Sequence, residues 1–463
     1  MIKHGLGIAV AMVLGGCGST VEPPRASRPA PAGFAQTWVD RGLRPIGQLT
    51  AVGSTMVGVV VDRYQLYVVA IDPATGNLRW RHEMSASWIT PGVELAVTRI
   101  DDGHIAYLQP GRRMGNDAKL VIADAATGRA LATSPTAIFS SPPYACGQDA
   151  CALARTGRGT TATAAIVRLG VGAYREEAEL PRGARFLETP SLFDVGDRPG
   201  NTLAWMHDGA IQWRVPVSAA FPPEFSSDYG WAWHEFADAH VIAGSVYSPP
   251  APRTPDGQQR TEIAQTAATA GLVKDTGEVL WRDSGSSFEC HLGSLSYPVR
   301  CRRSGVATRM DEGPISYEGL DMTMEGFEPT TGKVTWSVPL GPAHGLIEYE
   351  TPRLVAGASK VVLSGLNGPI VLDYATGQVT TPVAGAVFWC MTRPDYDSYP
   401  SYGDADGKPH YRRASGELAA SCDAQGRPSQ ALPGVEATLA AGAQVGGYVV
   451  LAGRDGYTGF HTP

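Results

Sequence analysis

Short apolar runs that end at glycine-containing turns recur along most of the chain. One such run, Gln65–Ile71, leads into Asp72 and the dipeptide Thr75-Gly76, after which residues alternate in polarity up to Trp80. Glycine accepts a positive φ angle without steric cost, and an Asp side chain can cap a tight turn. The pattern therefore predicts two strands joined by a turn, with the tryptophan-bearing strand at the outer edge.

This turn motif has five full copies and two degenerate copies, which lie at Gly209 and Gly416. The glycines of the full copies are Gly76, Gly128, Gly277, Gly332 and Gly377. Four copies place tryptophan four residues after the glycine, as Trp80, Trp213, Trp281 and Trp336, whereas Ala132 and Ala420 occupy that position in two others.

The spacing of these glycines, from 39 to 81 residues, indicates the fold. Units of roughly 40–50 residues with four short strands are typical of β-propeller blades. The longest gap has room for two units, and residues 151–155, 164–169 and 174–180 predict strands of a unit without the motif. We therefore expect an all-β propeller of eight four-stranded blades, with seven blades as the alternative. Phe34–Val39 and strands within Val435–Phe460 would complete the last blade and close the ring.

The first seventeen residues predict an export signal. Lys3 and His4 precede an apolar run from Gly5 to Gly16, which is too short to span a bilayer. The sequence Leu14-Gly-Gly-Cys17 resembles the bacterial lipobox, which implies that Cys17 receives a lipid; the alternative is an ordinary signal peptide with a chance cysteine. We expect a signal peptide at 1–16, a lipidated cysteine and proline-rich tether at 17–33, and a propeller at 34–463. The protein would then be lipid-anchored at the extracytoplasmic face of the cell membrane.

The turn motif resembles the pyrroloquinoline quinone (PQQ)-type propeller repeat, with its Asp, Thr-Gly and Trp at fixed spacing. In that family the Trp of the outer strand docks against the turn of a neighbouring blade, which implies the same for Trp80, Trp213, Trp281 and Trp336. The repeat type and the anchor also resemble those of the propeller lipoprotein of the outer-membrane assembly machinery. The resemblance covers about residues 35–463.

Composition and charge exclude some classes of protein. The chain of 463 residues is 43% apolar, which excludes general disorder, and its net charge of −7 provides no basic surplus for nucleic acid. Its 55 glycines and 35 prolines favour short strands and turns over helices.

The cysteines other than Cys17 are even in number, as expected in an oxidising compartment. They fall into three groups that predict local disulfides: Cys146 with Cys151, Cys290 with Cys301, and Cys390 with Cys422. A zinc site is the alternative, but Cys146 and Cys151 have no companion pair at knuckle spacing.

A quinoprotein dehydrogenase is the leading enzyme hypothesis, because its repeats resemble those of this chain. The alcohol-dehydrogenase branch carries two adjacent cysteines beside its quinone and a bound calcium, whereas no two cysteines are adjacent here. No G-x-S-x-G, H-E-x-x-H or P-loop motif occurs either. We expect no cofactor and a monomeric binding or scaffold module for envelope proteins. A quinone- or metal-dependent enzyme and a small-ligand sensor are the alternatives.

Irregular insertions at 247–263, 302–318 and 393–412 are the expected places for binding, because rigid blades present variable loops. The third insertion carries an acidic, tyrosine-rich loop: Asp395, Tyr396, Asp397, Tyr399, Tyr402, Asp404 and Asp406. Its tyrosines offer amphipathic contact area and its carboxylates would attract cationic partners. A Ca²⁺ site is the alternative, although the EF-hand order is broken at Tyr399. The aromatic segment 221–233 is expected to pack between blades.

Overall fold

The computed structural model describes residues 34–462 except 64, 88, 90–94, 96, 112–115, 157–162, 181–183, 188–191, 196–201, 208–209, 289–296, 311–314, 343–351, 393–398, 403–408 and 413–415. Strands dominate the described part of the chain, which confirms the predicted all-β class. Its helical elements are α1 (Val217–Ala220), α2 (Val435–Ala441) and the 3-10 turns Ala237–Ala239 and Ile263–Gln265. None of the described helices has the length and apolar character needed to cross a membrane.

A four-stranded antiparallel unit follows the N-terminal strand. The strands are β1 (Ala35–Asp40), β2 (Thr50–Val52), β3 (Thr55–Asp62), β4 (Gln65–Ile71) and β5 (Leu78–Met84). Strands β2 to β5 pair in sequence order, so the chain runs up and down from one edge of the sheet to the other. This is the strand order of a propeller blade.

The next two units share one sheet. The first contains β6 (Thr98–Arg99), β7 (His104–Pro110), β8 (Asp117–Asp124) and β9 (Ala130–Thr133). The second contains β10 (Ala137–Phe139), β11 (Tyr144–Cys146), β12 (Asp149–Thr156), β13 (Thr163–Gly170) and β14 (Ala173–Leu180). Strand β10 pairs with both β8 and β12 and so joins the two units. The strands expected near 151–155, 164–169 and 174–180 are β12, β13 and β14.

Three further units follow in separate sheets. One contains β15 (Arg185–Phe186), β16 (Leu192–Asp194), β17 (Thr202–His207) and β18 (Ala210–Pro216). The next segment contains β19 (Ser226–Phe236), β20 (Val241–Tyr247), β21 (Gln258–Glu262), β22 (Ala267–Val273) and β23 (Val279–Ser284). The third unit contains β24 (Ser286–Ser287), β25 (Val299–Met310), β26 (Ile315–Phe327) and β27 (Val334–Gly341). Strand β21 leaves its own unit and pairs with β25.

The remaining strands form one separate hairpin and, together with β1, a ten-stranded sheet. They are β28 (Arg353–Gly357), β29 (Lys360–Gly365), β30 (Gly368–Asp373), β31 (Val379–Thr380), β32 (Phe388–Thr392), β33 (Tyr399–Tyr402), β34 (Pro409–Arg412), β35 (Leu418–Cys422), β36 (Ala443–Val445), β37 (Tyr448–Gly453) and β38 (Gly456–His461). Strands β33 and β34 form the hairpin, and β1 pairs antiparallel with β38 at the edge of the ten-stranded sheet.

The strands expected within Val435–Phe460 are β36, β37 and β38, and helix α2 (Val435–Ala441) precedes them. Ala437, Thr438 and Ala441 are its buried residues, and the Thr438 hydroxyl accepts a hydrogen bond from Trp389 Nε1 at 3.0 Å. Alanine is the strongest helix former, so local propensity agrees with the observed helix.

The apolar core lies between successive sheets. In the first unit, Val68 and Ala70 of β4 face the second unit, where they join a cluster with Ile105 and Leu120. Val69 and Ile71, on the other face of β4, pack with Tyr457 and Trp38 of the last unit. Each strand thus contributes alternate residues to two neighbouring interfaces, which is why nearly all residues of its central part are buried.

Candidate binding surface

The recurrent Thr-Gly motif forms the same turn at each full copy. The turn glycines Gly76, Gly128, Gly277, Gly332 and Gly377 have φ angles between +68° and +74°. Gly76 N–H donates to Asp72 O at 2.8 Å, and the Asp72 carboxylate accepts hydrogen bonds from Thr75 N–H and Oγ1–H, each at 3.0 Å. Hydrogen bonds from Arg79 and Thr75 lower the pKa of Asp72 against the opposing effect of burial. The turn geometry shared by the five copies explains why glycine occupies this position, since other residues rarely adopt such a φ angle.

Each motif tryptophan packs on the turn of the following motif. A Cβ atom at Gly332 would lie 2.6 Å from Cδ2 of Trp281, and one at Gly128 would lie 2.7 Å from Cδ2 of Trp80. Trp281 Nε1–H also donates to Pro329 O at 2.7 Å. The same contact joins Trp213 to Gly277 and Trp336 to Gly377. The indole therefore fills the space above a glycine of the neighbouring turn, and the Nε1–H groups of Trp80, Trp213 and Trp281 each donate to a carbonyl of that turn.

Trp38 makes the same contact, although it lies outside the recurrent turn motif. It lies on β1, its Nε1–H donates to Pro73 O at 2.9 Å, and a Cβ atom at Gly76 would lie 2.5 Å from its Cε3. Because β1 pairs with the C-terminal strand β38, this contact joins the last unit to the first. The clue in the sequence was the segment Thr37-Trp38-Val39, which has the outer-strand pattern without a preceding Thr-Gly turn.

Additional strands join neighbouring units after two motifs that lack tryptophan. Ala132 replaces tryptophan in the second motif, and there β10 pairs with both adjoining units. After the fifth full motif, β32 and β35 lie between β28 and β37 and connect them into one sheet. Backbone hydrogen bonds thus connect adjacent units where an indole contact is missing.

Two of the expected disulfides are present. Cys146 is bonded to Cys151 within the β11–β12 hairpin, and Cys390 to Cys422 across paired strands β32 and β35. Cys301 is also disulfide-bonded, while Cys290 lies outside the described residues, as does Cys17.

Two of the predicted insertions come together in one surface. Strand β21, from the insertion at 247–263, pairs over its whole length with residues 306–310 of β25. The opposite neighbour of that part of β25 is the segment 315–318 of β26. We call these three segments the hairpin platform: Gln258–Glu262, residues 306–310 and residues 315–318. The insertions at 247–263 and 302–318 were expected to be irregular, and strands β21, β25 and β26 within them are a correction to that expectation.

The hairpin platform projects past its own unit and exposes apolar side chains. Strand β27 begins to pair with β26 only at Met322, so β26 extends beyond this neighbour from Ile315 to Asp321. Met310 is 49% exposed and Ile315 is 46% exposed. Ile315 pairs with Arg309, the chain neighbour of Met310, so the two exposed side chains lie at the same end of the platform. Contiguous exposed apolar area is typical of contact surfaces for other proteins.

A network of charged residues, buried at Arg300 and partly exposed at Arg302, lies at the base of the platform. Arg300 of β25 is 3% exposed, and its Nε–H donates to Glu325 of β26 at 3.0 Å. Arg302 Nε–H donates to the other oxygen of Glu325 at 3.1 Å, and Arg302 Nη2–H to Asp283 of the preceding unit at 2.7 Å. The paired charges fix the two strands to each other and to β23, so the platform rises from a rigid base.

The acidic, tyrosine-rich loop lies mostly outside the described residues. Asp395, Tyr396, Asp397, Asp404 and Asp406 belong to the undescribed segments, while Tyr399 and Tyr402 are the ends of β33, which pairs with β34. The backbone of the third insertion therefore includes a hairpin.

The aromatic segment before β20 packs as expected. Phe221, Phe225 and Trp233 are buried in the core that unites the fourth and fifth units. The ring of His234 packs edge-on against Phe288 at a centroid distance of 5.4 Å, and burial lowers the pKa of His234 to about 4. Among the described residues, no group of three or more His, Cys, Asp or Glu side chains is placed to hold a metal ion.

The chain is similar to several solved structures at low sequence identity. BamB from Moraxella catarrhalis is 15% identical, with 93% of this chain and 100% of that chain covered at a TM-score of 0.36. Sqt1 from Saccharomyces cerevisiae is 7% identical, covering 93% and 99% at a TM-score of 0.42. The quinohemoprotein alcohol dehydrogenase from Comamonas testosteroni is 14% identical, covering 92% and 73% at a TM-score of 0.32. No protein-family model and no curated protein matches the chain.

Proposed function

We propose that this protein is a non-catalytic, lipid-anchored β-propeller that binds protein partners at the extracytoplasmic face of the cell membrane. The observation that carries the proposal is the hairpin platform, in which two separate insertions combine into one protruding sheet with exposed Met310 and Ile315. Chain segments outside the repeat pattern thus form an ordered surface, while the repeated glycines and tryptophans have packing roles.

The proposed architecture is a closed ring of eight blades. Two contacts support closure: β1 pairs with β38, and Trp38 packs on the turn at Gly76 of the first unit. A closed ring leaves no long sheet edge open and holds its insertions in fixed relative positions.

The proposed anchor is the lipidated Cys17, followed by the proline-rich tether at 18–33. Its support is the lipobox sequence Leu14-Gly-Gly-Cys17. A tether of some sixteen residues, at up to about 3.3 Å each, would let the propeller meet partners tens of ångströms from the bilayer.

The experiment compares two matched pairs of substitutions. Met310→Ser with Ile315→Ser removes the exposed apolar groups of the platform, and Val171→Ser with Leu432→Ser removes similar groups elsewhere, since those residues are 67% and 48% exposed. Capture of partners from solubilised envelope is quantified by mass spectrometry, with melting temperature as the folding control. We expect the platform pair to lose at least about tenfold in recovery of specific partners. Equal recovery by both pairs would exclude the platform.

A second comparison tests the third insertion. Tyr396→Ala, Tyr399→Ala and Tyr402→Ala are combined in one variant and assayed for the same capture. Loss of capture would place this loop in the binding surface, and unchanged capture would exclude it. Quinone-dependent dye reduction by the wild-type protein would overturn the non-catalytic assignment.

A further inference from the structure

The fifth full motif departs from the tryptophan pattern at one position. The residue four positions after Gly377 is Thr381, whereas Trp80, Trp281 and Trp336 stand at that position in their own motifs. In each of those motifs the indole packs on the turn of the following motif. The unit of β28 to β31 therefore lacks, on its face toward β32, the aromatic group that is present in the units of those three motifs.

A cavity of about 320 Å³ lies at that face. Thr381 lines it, together with Ala356, Val371, Val383, Ala386 and Phe388. The volume is near the lower end of the range of about 300–1,000 Å³ for ligand pockets, so it suits one side chain better than a large ligand.

Strand register shows that the cavity occupies the missing indole's side of the sheet. In the first unit Ile71 pairs with Leu78, and the preceding residue, Ala70, pairs with Trp80. Here Leu372 pairs with Val379 and Val371 with Thr380, so Val371 is the counterpart of Ala70 and Thr380 stands where Trp80 pairs in the first unit. Thr380 and its neighbour Thr381 both line the cavity.

The two faces of β30 are also distinct in packing. Ile370 and Leu372 pack with Trp336 of the preceding unit. Val371 packs instead with Phe388 and Ala386, both of which line the cavity. The cavity and the position of the absent indole thus lie on the same face.

The chemistry of the lining matches an aromatic side chain with a polar group. Val371, Val383 and Phe388 provide apolar wall, while Lys360 and Asp373 add polar groups to the lining. Val383 is 76% exposed, which places an apolar side chain at the entrance. Indole combines large apolar area with one N–H donor and therefore fits such a mixed lining.

We propose that this cavity binds a tryptophan side chain presented by a protein partner, which supplies in trans the indole that this motif lacks. The inference rests on the proposed binding function and specifies the chemistry of one contact. The five contacts made by Trp38, Trp80, Trp213, Trp281 and Trp336 within the chain are the precedent for the occupant.

The test uses N-acetyl-L-tryptophanamide as the probe and saturation-transfer NMR as the readout. Thr381→Trp places an indole in the cavity from within the chain, and Val379→Trp adds the same indole two residues away, at an exposed position that does not line the cavity. We expect the wild type and Val379→Trp to bind the probe equally, and Thr381→Trp to bind it at least about tenfold more weakly. Thr381→Trp should also melt about 2 °C higher than the wild type, because the added ring fills a void.

Other outcomes overturn the inference. These are no detectable binding by the wild type, equal binding by Thr381→Trp, or equally strong binding of N-acetyl-L-leucinamide, which would indicate a general apolar pocket. If Thr381→Trp does not fold, Val383→Glu takes its place, since this exposed residue can change without disturbing the core, and it should also weaken binding. Failure of the probe with undiminished partner capture would reject this contact and leave the proposed function standing.

Discussion

The contact between Trp281 and Gly332 offers a quantitative test of how neighbouring units are held together. Trp281 is 8% exposed, so Trp281→Ala should cost about 3–5 kcal/mol, the usual range for a buried Trp or Phe. Gly332 has φ +68°, and a Cβ there would meet three Trp281 atoms at 2.6–2.9 Å. Gly332→Ala should therefore cost about 1–2 kcal/mol for the backbone and about 1–3 kcal/mol for overpacking.

The double variant separates these two contributions. Without the indole, the clash with the new methyl group disappears and only the backbone cost remains. The two changes should therefore be less than additive by about 1–3 kcal/mol. Gly385→Ala is the matched control, because Gly385 has φ +75° and open space around its would-be Cβ, so only the backbone cost of about 1–2 kcal/mol is expected.

The assay is urea unfolding followed by both tryptophan fluorescence and circular dichroism, whose coincidence checks that the transition is two-state. Additive effects of Trp281→Ala and Gly332→Ala would refute the reasoning. A cost for Gly332→Ala equal to that of Gly385→Ala would do the same, because the indole would then impose no constraint on the turn.

Three further predictions address the anchor, a disulfide and a partly buried histidine. Cys17→Ser should abolish lipid labelling and membrane retention; unchanged fractionation would reject the anchor. Replacing Cys390 and Cys422 by serine should cost about 2–4 kcal/mol in urea unfolding, since their disulfide closes a loop in the unfolded chain, and no loss would contradict this. Burial lowers the pKa of His234 from 6.5 to about 4. The folded protein therefore favours the neutral ring, and the stability that this ring contributes is complete above pH 6.5 and is lost as the pH falls toward 4. His234→Phe should therefore lose less melting temperature than the wild type between about pH 7 and pH 5, and identical profiles would be inconsistent with this.

Features determined by local sequence could be predicted. The turn positions required a residue that tolerates positive φ, which is glycine. Tryptophans that follow a turn glycine by four residues, such as Trp281 and Trp336, contact the glycine of the next motif. Strand β4 was predicted with its observed bounds, Gln65–Ile71, because its apolar run ends at a turn. In these cases propensity, polarity pattern and turn chemistry agree.

Features that depend on distant partners could not be predicted. Strand β21 carries Gln, Arg, Thr and Glu, and only its pairing with β25 makes it a strand. Polar edge strands have no strong local pattern, since strand preference depends on the neighbouring strand. The cavity beside Thr381 likewise appears only when the faces of β30 are assigned, although the missing tryptophan was visible in the sequence.

Photo-cross-linking from the hairpin platform tests the proposed binding function most directly. A benzophenone amino acid replaces Ile315 in the full-length, membrane-anchored protein, and the same residue at the exposed position Val171 serves as the control. Irradiation of intact cells should yield a discrete cross-linked protein partner from position 315 and none from position 171. Cross-links of equal yield from both positions, or none from position 315, would contradict the proposal that the hairpin platform binds a protein partner.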